Sequence, residues 1–145
     1  MDGGNMPTIS HDRLIKASCT IVYNALTTAQ GLSSWFTTQV NGSGQPDTDW
    51  ILKFENQPTF DWKIVSMEYG KHVVWKCIDG PGHSPGTEAI FDLKAASDDY
   101  CTLTIRHQGW DKDDPKFERC VAIWRTLMQH LQQYCETGIA APVYH

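Results

Sequence analysis

The sequence predicts an α+β domain: an antiparallel β-sheet of about six to seven strands lying against one long C-terminal helix, with two short helices after the first strand. Three observations predict it. Most of the chain between residues 37 and 110 alternates apolar and polar side chains with period two, which suits strands with one buried face. Short turn-forming segments separate these runs, and neighbouring strands joined by short turns are antiparallel, because parallel neighbours need long crossovers. Finally, residues 114–138 place Phe117, Cys120, Val121, Trp124, Leu127, Met128, Leu131, Tyr134 and Cys135 at three- and four-residue steps, which gives a helix one wide apolar face.

Each element follows in order. Residues 1–8 contain Gly, Asn and Pro without periodicity and read as a loose tail. Residues 9–17 suit a first strand. Ile21, Val22, Ala25 and Leu26 share a helical face over 20–26, and a second short helix runs through Phe36, with Gly31 expected to break the pair. After a turn at Asn41, Gly42, Ser43 and Gly44, Trp50, Leu52 and Phe54 alternate with polar neighbours. Phe60, Trp62 and Ile64 follow in the same way, then Val73, Trp75 and Cys77 beyond a Gly70-Lys71 turn. Residues 79–86, DGPGHSPG, form a loop by composition, and two further strands carry Ala89, Phe91 and Leu93, then Cys101, Leu103, Ile105 and His107. For the long helix, Asp114 suits the N-cap, Pro115 the first turn and Gly138 the left-handed C-terminal position. A single domain over 9–138 results, followed by a C-terminal tail over 139–145.

Composition narrows the function. The chain has 145 residues, 41% of them hydrophobic and 20% charged, with no apolar run near the roughly 20 residues that span a bilayer. No secretory signal opens the sequence, so the expected compartment is the cytoplasm. A net charge of −5 without clustered Lys or Arg argues against nucleic acid and acidic lipid as partners. Five cysteines without a CxxC spacing suit buried free thiols in a reducing compartment better than disulfides or metal ligands. The run from Asp111 to Asp114 lacks the spacing of a calcium loop and suits helix capping, while His72 and His83 have no partners at zinc-ligand spacing. No phosphate-binding, dinucleotide or serine-hydrolase motif occurs, so no cofactor and no metal is expected.

Four segments carry a resemblance to a known family. They are VYNALTTAQGLSSWF over 22–36, GTEAIFDLKAA over 86–96, LTIRHQGW over 103–110, and the W-x-x-L-x-x-x-L pattern over 124–131. Together they resemble the START-like (SRPBCC) helix-grip superfamily, in the branch similar to the C-terminal domain of the activator of the Hsp90 ATPase. The resemblance implies a curved sheet gripping the C-terminal helix, with a cavity between them. It also implies a range of activities: ligand carriage, cyclisation or hydrolysis of polyketide-like compounds, and chaperone stimulation in the eukaryotic branch. Two departures stand out. No N-terminal companion domain is expected, and Pro46-Asp47-Thr48-Asp49 replaces the family's Gly-Gly pair, so the first hairpin is expected to differ in shape.

Aromatic residues dominate the candidate ligand site: Trp35, Phe36, Trp62, Trp75, Phe91, Trp110 and Trp124, joined by Met128 and His107. Each has a second reading. Trp35 and Phe36 can form a ligand platform or plug the core; Trp62 and Trp75 can line a cavity or fill it. His107 points inward beside Ile105, where an imidazole can orient a ligand carbonyl, transfer a proton, or sit satisfied in the core. No second ionisable residue shares its face, since Lys76, Glu88, Asp92 and Arg106 have the opposite parity. The leading expectation is therefore binding of a small apolar or aromatic molecule without transforming it. A cyclase- or hydrolase-like enzyme using His107, shaped by Trp35, Trp62 and Trp110, is the alternative. An interaction module with a chaperone partner is the third reading, and a homodimer through an edge strand stays open.

Overall fold

The computed structural model describes residues 8–53, 59–80, 85–110 and 117–144. Within them the order is β1 (Ile9–Ile15), α1 (Cys19–Thr27), α2 (Ala29–Trp35), β2 (Gln39–Asn41), β3 (Asp49–Lys53), β4 (Phe60–Glu68), β5 (His72–Asp79), β6 (Glu88–Ser97), β7 (Tyr100–Gln108) and α3 (Phe117–Thr137). The strands form one sheet in the order β1-β7-β6-β5-β4-β3-β2, antiparallel throughout. This is the α+β helix-grip architecture. The expected Phe54, the loop residue His83 and the acidic run with its capping Asp114 lie outside the described residues.

β2 to β7 form a meander, and β1 closes it by pairing Ile9 with His107 and Ile15 with Cys101. β1 and β2 therefore stand at opposite edges of seven strands, a span of about 29 Å at ~4.8 Å per strand. α1 and α2 bridge that span. Ser18 caps α1 by accepting from the Ile21 amide, and Thr28 both ends α1 and caps α2 by accepting from the Gly31 amide at 2.9 Å. The break between the helices is thus at Thr28 and not at the expected Gly31, which lies inside α2. Glycine is required there for another reason: a Cβ would stand 2.6 Å from the Ala25 carbonyl oxygen, where the two helices touch.

Alternation buries one face of the sheet. Trp50, Trp62, Ile64, Trp75, Phe91 and Ile105 all join the core, and α3 covers them with Trp124, Leu127, Met128 and Leu131. Register shifts at Asp61/Trp62, Ile64/Ser66 and Ala95/Ser97 mark bulges or irregularities that sharpen the twist of the strands and help the sheet curve around the helix. On the outer face His72 and Arg106 both bond Asp92, at 2.6 and 2.7 Å. Partial burial works against the Asp92 charge, but these two bonds prevail and hold its carboxyl below the usual range.

α3 is tied to the β1 edge as well as to the core. The Arg13 guanidinium donates to Gln132 at 2.8 Å and the Lys16 amide donates to Glu136 at 2.9 Å. Gly138 ends the helix at φ +74, as its position predicts. The tail expected beyond it is held against the domain through residue 144: the Val143 and Tyr144 amides donate to the Trp35 and Phe36 carbonyls, and Thr37 bridges Tyr144 in parallel. Cys19, Cys77, Cys101 and Cys135 are free thiols, with the Cys19 and Cys101 sulfurs in contact at 2.7 Å.

Candidate functional site

At the end of the sheet where β4 and β6 begin and β5 and β7 finish, aromatic side chains from five segments meet around His107. β7 presents the imidazole inward; Trp62 of β4 stands 5.5 Å away, Trp110 just beyond β7 at 4.7 Å, and Trp124 of α3 at 5.8 Å, centroid to centroid. Trp75 of β5 joins through Trp62 at 6.1 Å and Phe91 at 4.7 Å, and Phe91 reaches Trp124 at 6.0 Å. Most of these contacts are tilted or edge-on, the arrangement in which a ring's positive edge meets its neighbour's negative face. Phe36 reaches Trp124 at 6.3 Å, and Met128 is buried on α3 about one turn beyond Trp124.

The hydrogen bonds assign the state of His107. Trp124 Nε1 stands 2.8 Å from His107 Nδ1, and an indole nitrogen can only donate, so Nδ1 accepts and is unprotonated. The proton of the neutral ring is then on Nε2, which donates to Thr87 Oγ1 at 2.7 Å. Burial alone pushes the His107 pKa down to about 3. Both nitrogens are engaged and the ring is neutral across the ordinary pH range. Proton transfer by this imidazole would require breaking one of two buried bonds, at a pKa far from that of an effective neutral-pH base.

Thr87 is a polar partner of His107 that lies outside the strand segment whose parity predicts the inward face. It sits just before β6, and extending the alternation of Phe91 and Ala89 by one step of two would have reached it. Phe60, inward by parity but not among the candidate residues, also joins the site: it stacks on Trp62 at 5.6 Å. Trp35 is fully buried, donates to the Ala25 carbonyl at 2.8 Å and touches the cluster through Phe36. Its hydrogen bond and position pin α2 to α1.

The polar atoms of the cluster are unevenly satisfied. Trp35 and Trp124 have acceptors, whereas the buried indole nitrogens of Trp50, Trp62, Trp75 and Trp110 have none among the described residues. A separate cleft of about 500 Å³ lies at the other end of the sheet, between Lys16–Ile21, Asp99–Tyr100 and Cys135–Glu136, and none of the nine candidate residues lines it. Among the described residues no group of three or more His, Cys, Asp or Glu is placed to hold a metal ion, and no helix is long and apolar enough to cross a membrane.

A curved antiparallel sheet closed over a C-terminal helix, with two short helices bridging its edges and an aromatic interior, defines a START-like helix-grip protein. The chain belongs to the family described as activator of Hsp90 ATPase homolog 1-like protein, whose sequence profile matches residues 16–136. The solution structure of the Aha1 dimer from Colwellia psychrerythraea is similar at TM-score 0.83 and 28% identity, over 92% of this chain and 98% of that one. Protein MLL2253 from Mesorhizobium loti has TM-score 0.77 at 15% identity, over 88% and 95% of the respective chains. CalU16 from Micromonospora echinospora has TM-score 0.76 at 15% identity, over 97% and 81%. The last two likenesses speak for the fold alone. No curated protein matches the sequence.

Proposed function

We propose that this protein binds a small apolar or aromatic molecule between its sheet and α3 and releases it unchanged. The observation that carries this reading is the continuous aromatic assembly on facing surfaces of sheet and helix, Trp62, Trp75, Phe91 and Trp110 against Trp124, whose buried N–H groups are only partly satisfied. Packing alone would favour purely aliphatic residues or indoles with internal acceptors. The state of His107 supports binding over chemistry: its two nitrogens bond uncharged groups, so it orients Trp124 and Thr87 and has no ionised hydrogen-bond partner among the described residues to drive proton transfer. The test is native mass spectrometry of the freshly purified protein, followed by denaturation and analysis of any released compound. A reproducible apolar or aromatic compound in stoichiometric amount is expected; a bare protein that also fails to take up apolar aromatic probes would overturn the proposal.

A second reading, self-association or contact with a chaperone, rests on family membership and on the dimer described for the Colwellia psychrerythraea relative. The short β2 edge is open to such pairing. Light scattering coupled to size exclusion separates the cases: a dimeric mass favours the second reading, and a concentration-independent monomer that retains no partner on co-purification removes it.

A further inference from the structure

We propose that Cys19 and Cys101 form a redox-modification site, at which a hydroperoxide converts the two thiols into a disulfide that ties the first turn of α1 to β7. Cys19 opens α1 directly after the capping Ser18, and Cys101 lies near the start of β7, opposite Ile15 on one side and Ala95 on the other. Their sulfurs stand 2.7 Å apart, although the residues are 82 positions apart in sequence. Carbon atoms in a packed core settle at roughly 3.5–4.0 Å, and sulfur is larger than carbon, so packing does not account for this approach. The separation is only roughly 0.7 Å longer than the ~2.05 Å of a disulfide bond, so a small backbone movement closes one. Cys77 shows a cysteine that serves packing in the same fold: it is buried, and its thiol donates to the Asp79 carbonyl at 3.5 Å.

A small oxidant has a route to the pair. The cleft of about 500 Å³ at this end of the sheet is lined by Ser18 and Ile21, which flank Cys19, by Tyr100, which precedes Cys101, and by Cys135 of α3. Cys19 is partly exposed and Cys101 fully buried, so Cys19 is the sulfur that meets the oxidant. Burial, and next the bond with Cys19, raise the Cys101 pKa, so Cys101 keeps its proton. Cys135 does not compete, because burial and then the Glu136 carboxylate push its thiol up to about 12. In the first step the Cys19 sulfur attacks one oxygen of hydrogen peroxide and the O–O bond breaks. The second oxygen leaves as water with the Cys19 proton, and Cys19 becomes a sulfenic acid, oxidised by two electrons. In the second step the Cys101 sulfur attacks the Cys19 sulfur, the S–S bond forms as the S–O bond breaks, and the Cys101 proton leaves with the hydroxyl as water. Two thiols and one peroxide thus give one disulfide and two waters. The new bond fixes the start of the helical bridge to the sheet.

The test exposes the reduced full chain to hydrogen peroxide and reads its intact mass, its thiol labelling and its peptide map. The expected product is lighter by two hydrogens and takes up two fewer maleimide labels after unfolding. Its map contains a peptide pair joined through Cys19 and Cys101, and dithiothreitol reverses all three changes. Oxidation should also raise Tm by roughly 5–15 °C, because the bond closes a long loop in the unfolded chain. Cys19→Ser should abolish both the cross-link and the rise in Tm, whereas Cys77→Ala should keep both. A treated chain that retains all its thiols, stops at a sulfinic Cys19 or joins a different pair would overturn the proposal. Should Cys19→Ser fail to fold, the peptide map of the unmodified sequence decides alone.

Discussion

His107 makes the stability of this protein depend on pH in a direction that can be worked out. Burial lowers its pKa in the folded chain to about 3, while the unfolded chain has the ordinary histidine value of ~6.5. The fold thus favours the neutral ring, and the stability is present in full above ~6.5 and lost as pH falls toward 3. Within that window the unfolded state binds one more proton than the folded state, a slope of about 1.4 kcal/mol per pH unit. From pH 7 to 4.5 the loss from this residue alone is on the order of 2–3 kcal/mol, a large share of the 5–15 kcal/mol typical of a domain. The neighbouring Trp62, Trp110, Trp124 and Thr87 carry no charge that would offset it. The clean measurement is the difference between wild type and His107→Gln in urea unfolding across this pH range. Other titrations, including the opposing one of Asp61, cancel in that difference. Wild type should be the more stable at pH 7.5, by about 1–3 kcal/mol from its satisfied bonds, and the advantage should shrink steadily below pH 6.5. Parallel stability curves down to pH 4.5 would refute the reasoning, because they would mean that the imidazole takes up a proton equally well in both states.

Three further outcomes are expected. Gly31→Ala should destabilise by about 1–3 kcal/mol, against the usual gain from alanine in a helix, because its Cβ would press on the Ala25 backbone; an unchanged or raised Tm would show that α1 and α2 can separate freely. Asp61→Asn should stabilise the protein above pH 7, with the gain fading toward pH 4. Burial first, and then the carboxyls of Asp49 and Asp79, push the Asp61 pKa up to about 6, so its ionisation at higher pH opposes folding; thermal unfolding at pH 8 and pH 4 checks the sign, and no gain at pH 8 would sink the argument. Trp124→Phe keeps a ring but strands His107 Nδ1, so it should cost about 1–3 kcal/mol and shift the Nδ1 resonance; an identical imidazole ¹⁵N spectrum would show that the bond is not formed in solution.

The parity of the strands was readable because side chains alternate along any extended backbone. That alone placed Trp62, Trp75, Phe91 and His107 on one face, and the helical step of α3 turned Trp124 and Met128 to meet them. Gly31 lies inside α2 and does not break the helix pair. Its local signal is that of a helix breaker, but its role is a close approach to Ala25, a contact created by how two helices pack. The docking of residues 141–144 on the α2 end had no local signal either, since backbone amides and carbonyls of Trp35 and Phe36 make the contact and any sequence supplies those.

By itself the amino-acid sequence determined the fold class, the family and the inward-facing residue set, because periodicity, turn chemistry and motif spacing are properties of the chain over a few residues. Tertiary structure alone decided which of those residues act on one another. The Trp124–His107–Thr87 chain joins α3, β7 and the start of β6, and its tautomer follows from an indole 17 residues away in sequence. The division of six tryptophans into satisfied and unsatisfied donors is likewise invisible in composition, since a hydrogen bond depends on where an acceptor stands in space.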